Sequence, residues 1–120
     1  MSGSGAGERY PREARITGGR DVRRVLREGR RHRTGPVDVF AAPSPAGRPR
    51  LGVVVPLYGH TAVARNRVQR RLREIGRRDW LAGAWEEGRE VDVLLRARPR
   101  AYDCDFPELR EAVLGALDGV

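Results

Sequence analysis

A strand and a strongly basic helix follow each other directly in residues 51–78, LGVVVPLYGHTAVARNRVQRRLREIGRR. Leu51 to Val55 is a mostly β-branched run that Pro56 ends, which is typical of a buried strand. Beyond it, apolar residues recur with the spacing of one helical stripe, at Ala64, Val68, Leu72 and Ile75. The segment therefore predicts a strand and a helix whose apolar stripe packs on a sheet.

The polar side of this helix carries arginine almost exclusively. Six arginines and a single acid, Glu74, lie between Arg65 and Arg77. At about 100° per residue, Arg65 and Arg71 flank the apolar stripe. The side chains opposite the stripe are Asn66, Arg70, Arg73 and Arg77. Guanidinium groups bind phosphate oxygens in a bidentate geometry, and like charges one turn apart destabilise a helix unless a polyanion neutralises them. The pattern favours contact with a phosphodiester backbone.

The chain before this segment predicts a tail, a short helix and a basic connector. Residues 1–14 are polar and glycine-rich, which predicts a flexible tail and places the domain at residues 15–120. A helix ending at Gly29 follows, because apolar residues fall at i, i+3 and i+4: Val22, Val25 and Leu26. Arg30 to Arg33 predicts a connector or a short edge strand.

Two further strands and a closing helix complete the pattern. Val37–Ala41 and Val91–Leu95 predict strands. Asp105 with Glu108 predicts the capped start of a helix whose apolar face is formed by Leu109, Val113, Ala116 and Leu117. The order of elements predicts an α+β fold, a two-layer α/β sandwich on a small mixed four-stranded sheet.

The composition excludes several classes of protein. A chain of 120 residues fits one domain. Its 24 basic residues, all arginine, exceed 16 acids and give a net charge of +8, which favours nucleic acid as partner, ahead of an acidic membrane surface. One cysteine and two histidines predict neither a disulfide nor a metal site. Without an apolar run of about 18 residues or a secretory signal pattern, we expect a cytoplasmic protein.

The arginine-rich segment resembles the signature of the protein component of bacterial ribonuclease P. The resemblance rests on a strand followed by Gly59, Ala62, Val63, the triplet Arg65-Asn66-Arg67, Arg70, Arg73 and Glu74. The first helix, the strand at Val37–Ala41, and the final strand and helix extend it over the chain from about Arg15.

The resemblance implies a subunit of an endoribonuclease. A large RNA subunit, with Mg²⁺ held mainly by that RNA and the substrate, would hydrolyse the phosphodiester at the 5′ end of mature tRNA within precursor tRNA. The protein would bind this catalytic RNA and the single-stranded 5′ leader of the precursor. We therefore expect no catalytic side chain, no protein-bound metal and no membrane partner. The resemblance also implies a left-handed β-α-β crossover that displays the basic helix.

The resemblance, together with the helix geometry, assigns residues to two surfaces. The predicted RNA-binding residues are Arg65, Asn66, Arg67, Arg70, Arg71, Arg73 and Arg77. The predicted leader cleft comprises Val22, Leu26, Phe40, Tyr58, Arg30, Arg31 and Arg33. Phe40 is expected to stack on a base. Val22 and Leu26 stand where the family usually has phenylalanines, which predicts weaker leader binding, and Tyr58 replaces one of a pair of lysines.

Two other functions are open from the residues alone. One is a non-catalytic basic RNA-binding module, such as a ribosome-associated protein. The other is a DNA-binding protein that places the basic helix in a major groove. A strand leads directly into this helix, and no helix precedes it at helix-turn-helix spacing, which disfavours DNA. The Arg65-Asn66-Arg67 triplet after a strand distinguishes ribonuclease P from a generic basic module.

Overall fold

A four-stranded mixed sheet forms the centre of the computed structural model, which describes residues 10–120. The strands are β1 (Arg30–Arg33), β2 (Val37–Pro43), β3 (Arg50–Val54) and β4 (Val91–Ala97), in the spatial order β1-β2-β4-β3. β4 pairs antiparallel with β2 and parallel with β3. Because parallel neighbours cannot be joined by a hairpin, the chain between β3 and β4 crosses over the sheet.

Four α-helices pack around this sheet in residues 10–120. They are α1 (Gly19–Glu28), α2 (Ala62–Gly76), α3 (Ala82–Glu86) and α4 (Phe106–Leu117). A π-helical turn at Arg77–Leu81 connects α2 to α3, and a 3₁₀ turn at Pro99–Asp103 follows β4. The crossover between β3 and β4 thus contains α2, the arginine-rich helix. The α+β class and the mixed four-stranded sheet are confirmed, while the left-handed sense of the crossover stays a prediction.

The domain begins earlier in the chain than the predicted boundary at residue 15. Residues 12–14 form a 3₁₀ turn, Ala14 is fully buried, and Arg15 forms a β-bridge with Leu51. Tyr10 also packs against the core and donates a hydrogen bond from its hydroxyl to the carbonyl oxygen of Leu51. Burial raises the pKa of Tyr10 to about 12. The other predicted tail residues, 1–9, lie outside the described part of the chain.

Helices cover both faces of the sheet. The larger core lies under α2 and α4 and includes Val39, Leu51, Leu72, Leu95 and Leu109. On the opposite face, α1 packs Val25 into a smaller cluster with Ile16, Phe40, Ala42 and Leu94. The predicted two layers therefore describe only the larger core, because α1 adds a partial third layer that the order of elements does not reveal.

The predicted aliphatic stripe seats α2 on the sheet. Val68, Leu72 and Ile75 are all buried. At the end of α2, a Cβ on Gly76 would lie 2.7 Å from Cδ2 of Leu51, so the buried Leu51 side chain packs directly against the helix backbone and a larger residue at position 76 would displace it. The stripe therefore fixes both the rotation of α2 and its distance from the sheet.

A buried carboxylate connects α1 to both parallel strands. Asp92 on β4 is fully buried and accepts two hydrogen bonds from Arg50 on β3, at 2.9 and 2.7 Å. It also accepts one from Arg24 on α1, at 2.5 Å. The hydrogen bond to Asp92 raises the pKa of Arg50. Removing one member of such a group leaves the remaining charges without compensation.

We expect Asp92→Asn to lower the free energy of unfolding by about 3 kcal/mol, since it leaves the two partly buried guanidinium groups with only the more exposed Asp21 as a counter-charge. Urea denaturation followed by circular dichroism measures this change. Asp21→Asn is the matched control, because Asp21 is more exposed and lies 3.8 Å from Arg24 and 3.5 Å from Arg50. Its effect should stay below about 1 kcal/mol. Equal effects of the two substitutions would contradict the role given to Asp92.

Candidate nucleic-acid interface

One face of α2 presents arginines that no carboxylate within residues 10–120 neutralises. We name it the arginine face and define it by Arg65, Asn66, Arg67, Arg70 and Arg73. Within residues 10–120, none of these side chains forms an ion pair or a hydrogen bond. Thr61 caps the helix by accepting a hydrogen bond from the N–H of Ala64 at 3.1 Å, so the face begins one turn inside an ordered terminus. The arrangement leaves guanidinium groups available to an external anion.

Two predicted RNA-binding arginines already have partners within the protein. Arg71 donates to the carbonyl oxygen of Cys104 at 3.2 Å and so links α2 to the segment before α4. Arg77 donates to Glu74 at 2.8 Å, and Arg78 donates to the other oxygen of Glu74 at 3.2 Å. The hydrogen bond from Arg77 lowers the pKa of Glu74. The single acid of α2 is thus engaged by the two arginines that follow it.

The second predicted surface lies beside α1 on the opposite face of the sheet. Val22 and Leu26 are half-buried there and pack with Phe40. The strand register places Arg31 opposite Phe40 and Arg33 opposite Asp38. Directly opposed residues in an antiparallel pair share a face, so both arginines border this cleft.

Arg30 and Tyr58 lie elsewhere. Strand alternation turns Arg30 to the other face, where it lines a cavity with His32 and Arg89. Tyr58 lies in the turn before α2, and its hydroxyl donates to the carbonyl oxygen of Ala97 at 2.8 Å. Its ring packs edge-on against Tyr102. The structure therefore does not bring these two residues together with Phe40.

The ring of Phe40 is covered by Arg96, which sequence reasoning missed. Phe40 is only 5% exposed, and the Arg96 guanidinium lies 5.0 Å from its ring centroid. Arg96 also donates to Asp38 at 3.1 Å, and Asp38 accepts from Arg33 at 3.1 Å. Stacking of a base on Phe40 stays a prediction, and the guanidinium of Arg96 is a second planar group that lies over this ring. The alternation along β4, which places Arg96 on the face of Leu94, was the available signal.

The described residues include no candidate metal site, and their one cysteine is a poor nucleophile. Across residues 10–120, no group of three His, Cys, Asp or Glu side chains is placed to hold a metal ion. Cys104 is buried, and burial raises the pKa of its thiol. No helix in this part of the chain is long and apolar enough to cross a membrane. The chemistry that the surface supports best is the binding of anions.

Known proteins share this sequence pattern. The family model described as ribonuclease P matches residues 10–119. The ribonuclease P protein component of Pseudarthrobacter chlorophenolicus is 37% identical over 98 residues, which cover 81% of this chain and 66% of that protein. That of Thermus aquaticus is 42% identical over 92 residues, covering 77% and 51%. That of Micrococcus luteus is 37% identical over 116 residues, covering 89% and 87%. The match thus spans about half to two-thirds of the first two relatives.

Solved structures share the fold. The ribonuclease P protein of Staphylococcus aureus superposes with a TM-score of 0.73 at 21% identity, covering 88% of this chain and 93% of that one. The protein from Thermotoga maritima gives a TM-score of 0.72 at 26% identity, covering 88% and 96%. The resemblance noted in the arginine-rich segment is confirmed along nearly the whole described chain, which belongs to the ribonuclease P protein family.

Proposed function

We propose that this chain is the protein subunit of a ribonuclease P holoenzyme. It binds the catalytic RNA through the arginine face and the single-stranded 5′ leader of precursor tRNA in the cleft beside α1. The holoenzyme removes the leader to give the mature 5′ end of the tRNA, and catalysis resides in the RNA. The observation that carries this proposal is the set of unneutralised arginines on a helix held rigidly by the core.

The arginine face suits a folded RNA for two physical reasons. Each guanidinium can bind a phosphate with two parallel hydrogen bonds, and each phosphate neutralised releases condensed counterions. Because Val68, Leu72 and Ile75 are buried, the helix backbone is ordered before RNA binds. Less conformational entropy is then lost on association. The amide of Asn66 adds a donor and an acceptor for a ribose or a base edge.

The cleft beside α1 suits a single strand. Arg96 offers a planar cation held in place by Asp38, and Arg31 and Arg33 place further positive charge along the same face. Single-stranded RNA binds to surfaces that combine planar groups for stacking with cations that follow the backbone. Val22 and Leu26 supply the apolar wall.

The Mg²⁺ that cleavage requires belongs, in this proposal, to the RNA subunit and the substrate. Mg²⁺ takes oxygen ligands, chiefly carboxylates and phosphates, in octahedral geometry. The one carboxylate of α2, on Glu74, is already bonded by Arg77 and Arg78, so the residues of this surface do not fit a magnesium site. The protein would contribute by neutralising phosphate charge.

We expect the protein to lower the Mg²⁺ concentration at which its cognate catalytic RNA cleaves precursor tRNA, because arginines replace part of the cation requirement. Single-turnover cleavage measured across Mg²⁺ concentrations, with and without protein, tests this. Tight RNA binding with unchanged cleavage at every Mg²⁺ concentration would instead indicate a non-catalytic RNA-binding module.

We expect Arg67→Ala to weaken binding to the catalytic RNA and to reduce the slope of log K against log salt by about one, as for the loss of one phosphate contact. Arg27→Ala is the matched control. It removes the same charge from α1, where Arg27 pairs with Glu28 on the opposite side of the sheet. Filter binding at several salt concentrations gives both slopes, and identical slopes for the two variants would remove Arg67 from the interface.

We expect Arg96→Ala to reduce the preference for precursor over mature tRNA by at least about fivefold, since stacking on a base contributes roughly 1–3 kcal/mol, or about 5- to 150-fold. Arg96→Lys keeps the positive charge but lacks the planar guanidinium, so its preference for precursor tRNA should lie between those of Arg96→Ala and the parent. Affinities of the reconstituted holoenzyme for both tRNAs measure the effect. Equal losses for precursor and mature tRNA would place Arg96 outside the leader contact.

A further inference from the structure

We infer that a pocket between α2 and α4 binds one unpaired nucleotide of the catalytic RNA, with the base stacked on Phe106. This inference rests on the proposed function and adds a contact on a residue outside the predicted surfaces. The pocket is a cavity of about 450 Å³ lined by Arg67, Arg70, Arg71, Glu74 and Phe106. Its volume lies within the range of about 300–1,000 Å³ that is usual for small-ligand sites.

Phe106 presents an open aromatic ring to this pocket. It is the first residue of α4 and is 36% exposed, whereas the apolar face of the same helix, including Leu109 and Val113, is buried. The cation–π contacts found in residues 10–120 involve Tyr10 and Phe40, and none covers Phe106. Its ring is therefore accessible to a partner, in contrast to the ring of Phe40. Covering an exposed ring with a base removes apolar surface from water and therefore stabilises the complex.

The charges around the ring favour a phosphate-bearing partner. Arg67 and Arg70 have no ion pair or hydrogen bond with the rest of the described chain. Glu74 does not offset them, because Arg77 and Arg78 already bond both of its carboxylate oxygens. A planar aromatic group with cations at its edge is the combination that recognises an unstacked base and its flanking phosphates.

The contact between Arg71 and the carbonyl oxygen of Cys104 keeps the pocket in shape. This hydrogen bond of 3.2 Å joins α2 to the segment immediately before α4. Asp105 then caps α4 by accepting from the N–H of Glu108 at 2.9 Å. Phe106 lies in the chain between Cys104, which is bonded by Arg71, and Glu108, which is bonded by Asp105. Its position relative to the arginine face is thus set before RNA binds.

The position of the pocket identifies which RNA fills it. Phe106 and α2 lie on one face of the sheet, whereas the leader cleft at Val22, Leu26 and Arg96 lies on the other. A leader bound beside α1 meets α2 at Gln69 and Arg73, which line a cavity with Val22, whereas Phe106 lies at a separate cavity between α2 and α4. The arginine face, in contrast, contributes Arg67 and Arg70 directly to the pocket. The nucleotide therefore comes from the RNA that the arginine face binds, the catalytic RNA.

Three substitutions at Phe106 test this inference. Binding of the full chain to the catalytic RNA is measured without tRNA. Phe106→Ala should weaken binding about tenfold, with an unchanged salt slope because no phosphate contact is lost. Phe106→Leu should weaken it similarly, since leucine keeps apolar bulk but has no ring. Phe106→Tyr should stay within about twofold of the parent. Thermal unfolding of each variant checks that the fold is intact.

Chemical probing of the RNA locates the contact. With the parent protein or Phe106→Tyr, at least one unpaired nucleotide should be protected from ribose acylation, and it should regain reactivity with Phe106→Ala. If the parent binds the RNA and stimulates cleavage while Phe106→Ala binds equally well, the pocket is overturned and the proposed function stands. If the parent does not bind the RNA, the proposed function itself fails. If Phe106→Leu binds the catalytic RNA like the parent, the ring does not stack on a base. If Phe106→Ala weakens only the binding of leader-bearing tRNA, the nucleotide does not belong to the catalytic RNA.

Discussion

The close packing of α2 against the β3–β4 pair is the constraint on which both the fold and the proposed interface depend. Val68, Leu72 and Ile75 are buried, and Gly76 brings the helix backbone onto Leu51. Burying such side chains contributes roughly 1.5–3 kcal/mol each. Repulsion between like charges one turn apart costs only a few tenths of a kcal/mol per pair. The core therefore outweighs the repulsion and holds uncompensated arginines in a fixed array.

The placement of the acids separates arginines that have a carboxylate partner within residues 10–120 from those that have none. Two buried carboxylates on one face of the sheet each engage two arginines: Asp92 bonds Arg24 and Arg50, and Asp38 bonds Arg33 and Arg96. On α2, the single acid Glu74 engages Arg77 and Arg78 at the end of the helix. The arginines earlier in α2 form no ion pair with any carboxylate in the described part of the chain. The net charge of +8 therefore includes a local excess on α2, formed by Arg65, Arg67, Arg70 and Arg73.

Local patterns predicted what depends on local geometry. The aliphatic stripe and the opposing arginines of α2 follow from the 100° spacing of a helix, and Asp105 caps α4 as its position indicates. Contacts set by strand pairing were not accessible. Arg96 covers a ring 56 residues earlier in the chain, and Arg30 faces away from the predicted cleft because of a register that its own four-residue strand does not encode. Phe106 was missed because its exposure depends on how α4 meets α2, and the burial of Ala14 depends on pairing with a distant strand.

The predicted leader cleft combines apolar contact on α1 with a guanidinium plane on β4, in place of the aromatic rings expected on α1. Val22 and Leu26 stand where the resemblance leads one to expect phenylalanines, so α1 contributes apolar contact without a stacking plane. Arg96 supplies a plane on β4 instead, held by Asp38 and backed by Phe40. A phenylalanine offers only its ring, whereas a guanidinium stacks and also carries charge. Charge is screened by salt and stacking is not, so we expect electrostatic attraction to contribute a larger share of the proposed leader binding in a cleft built in this way.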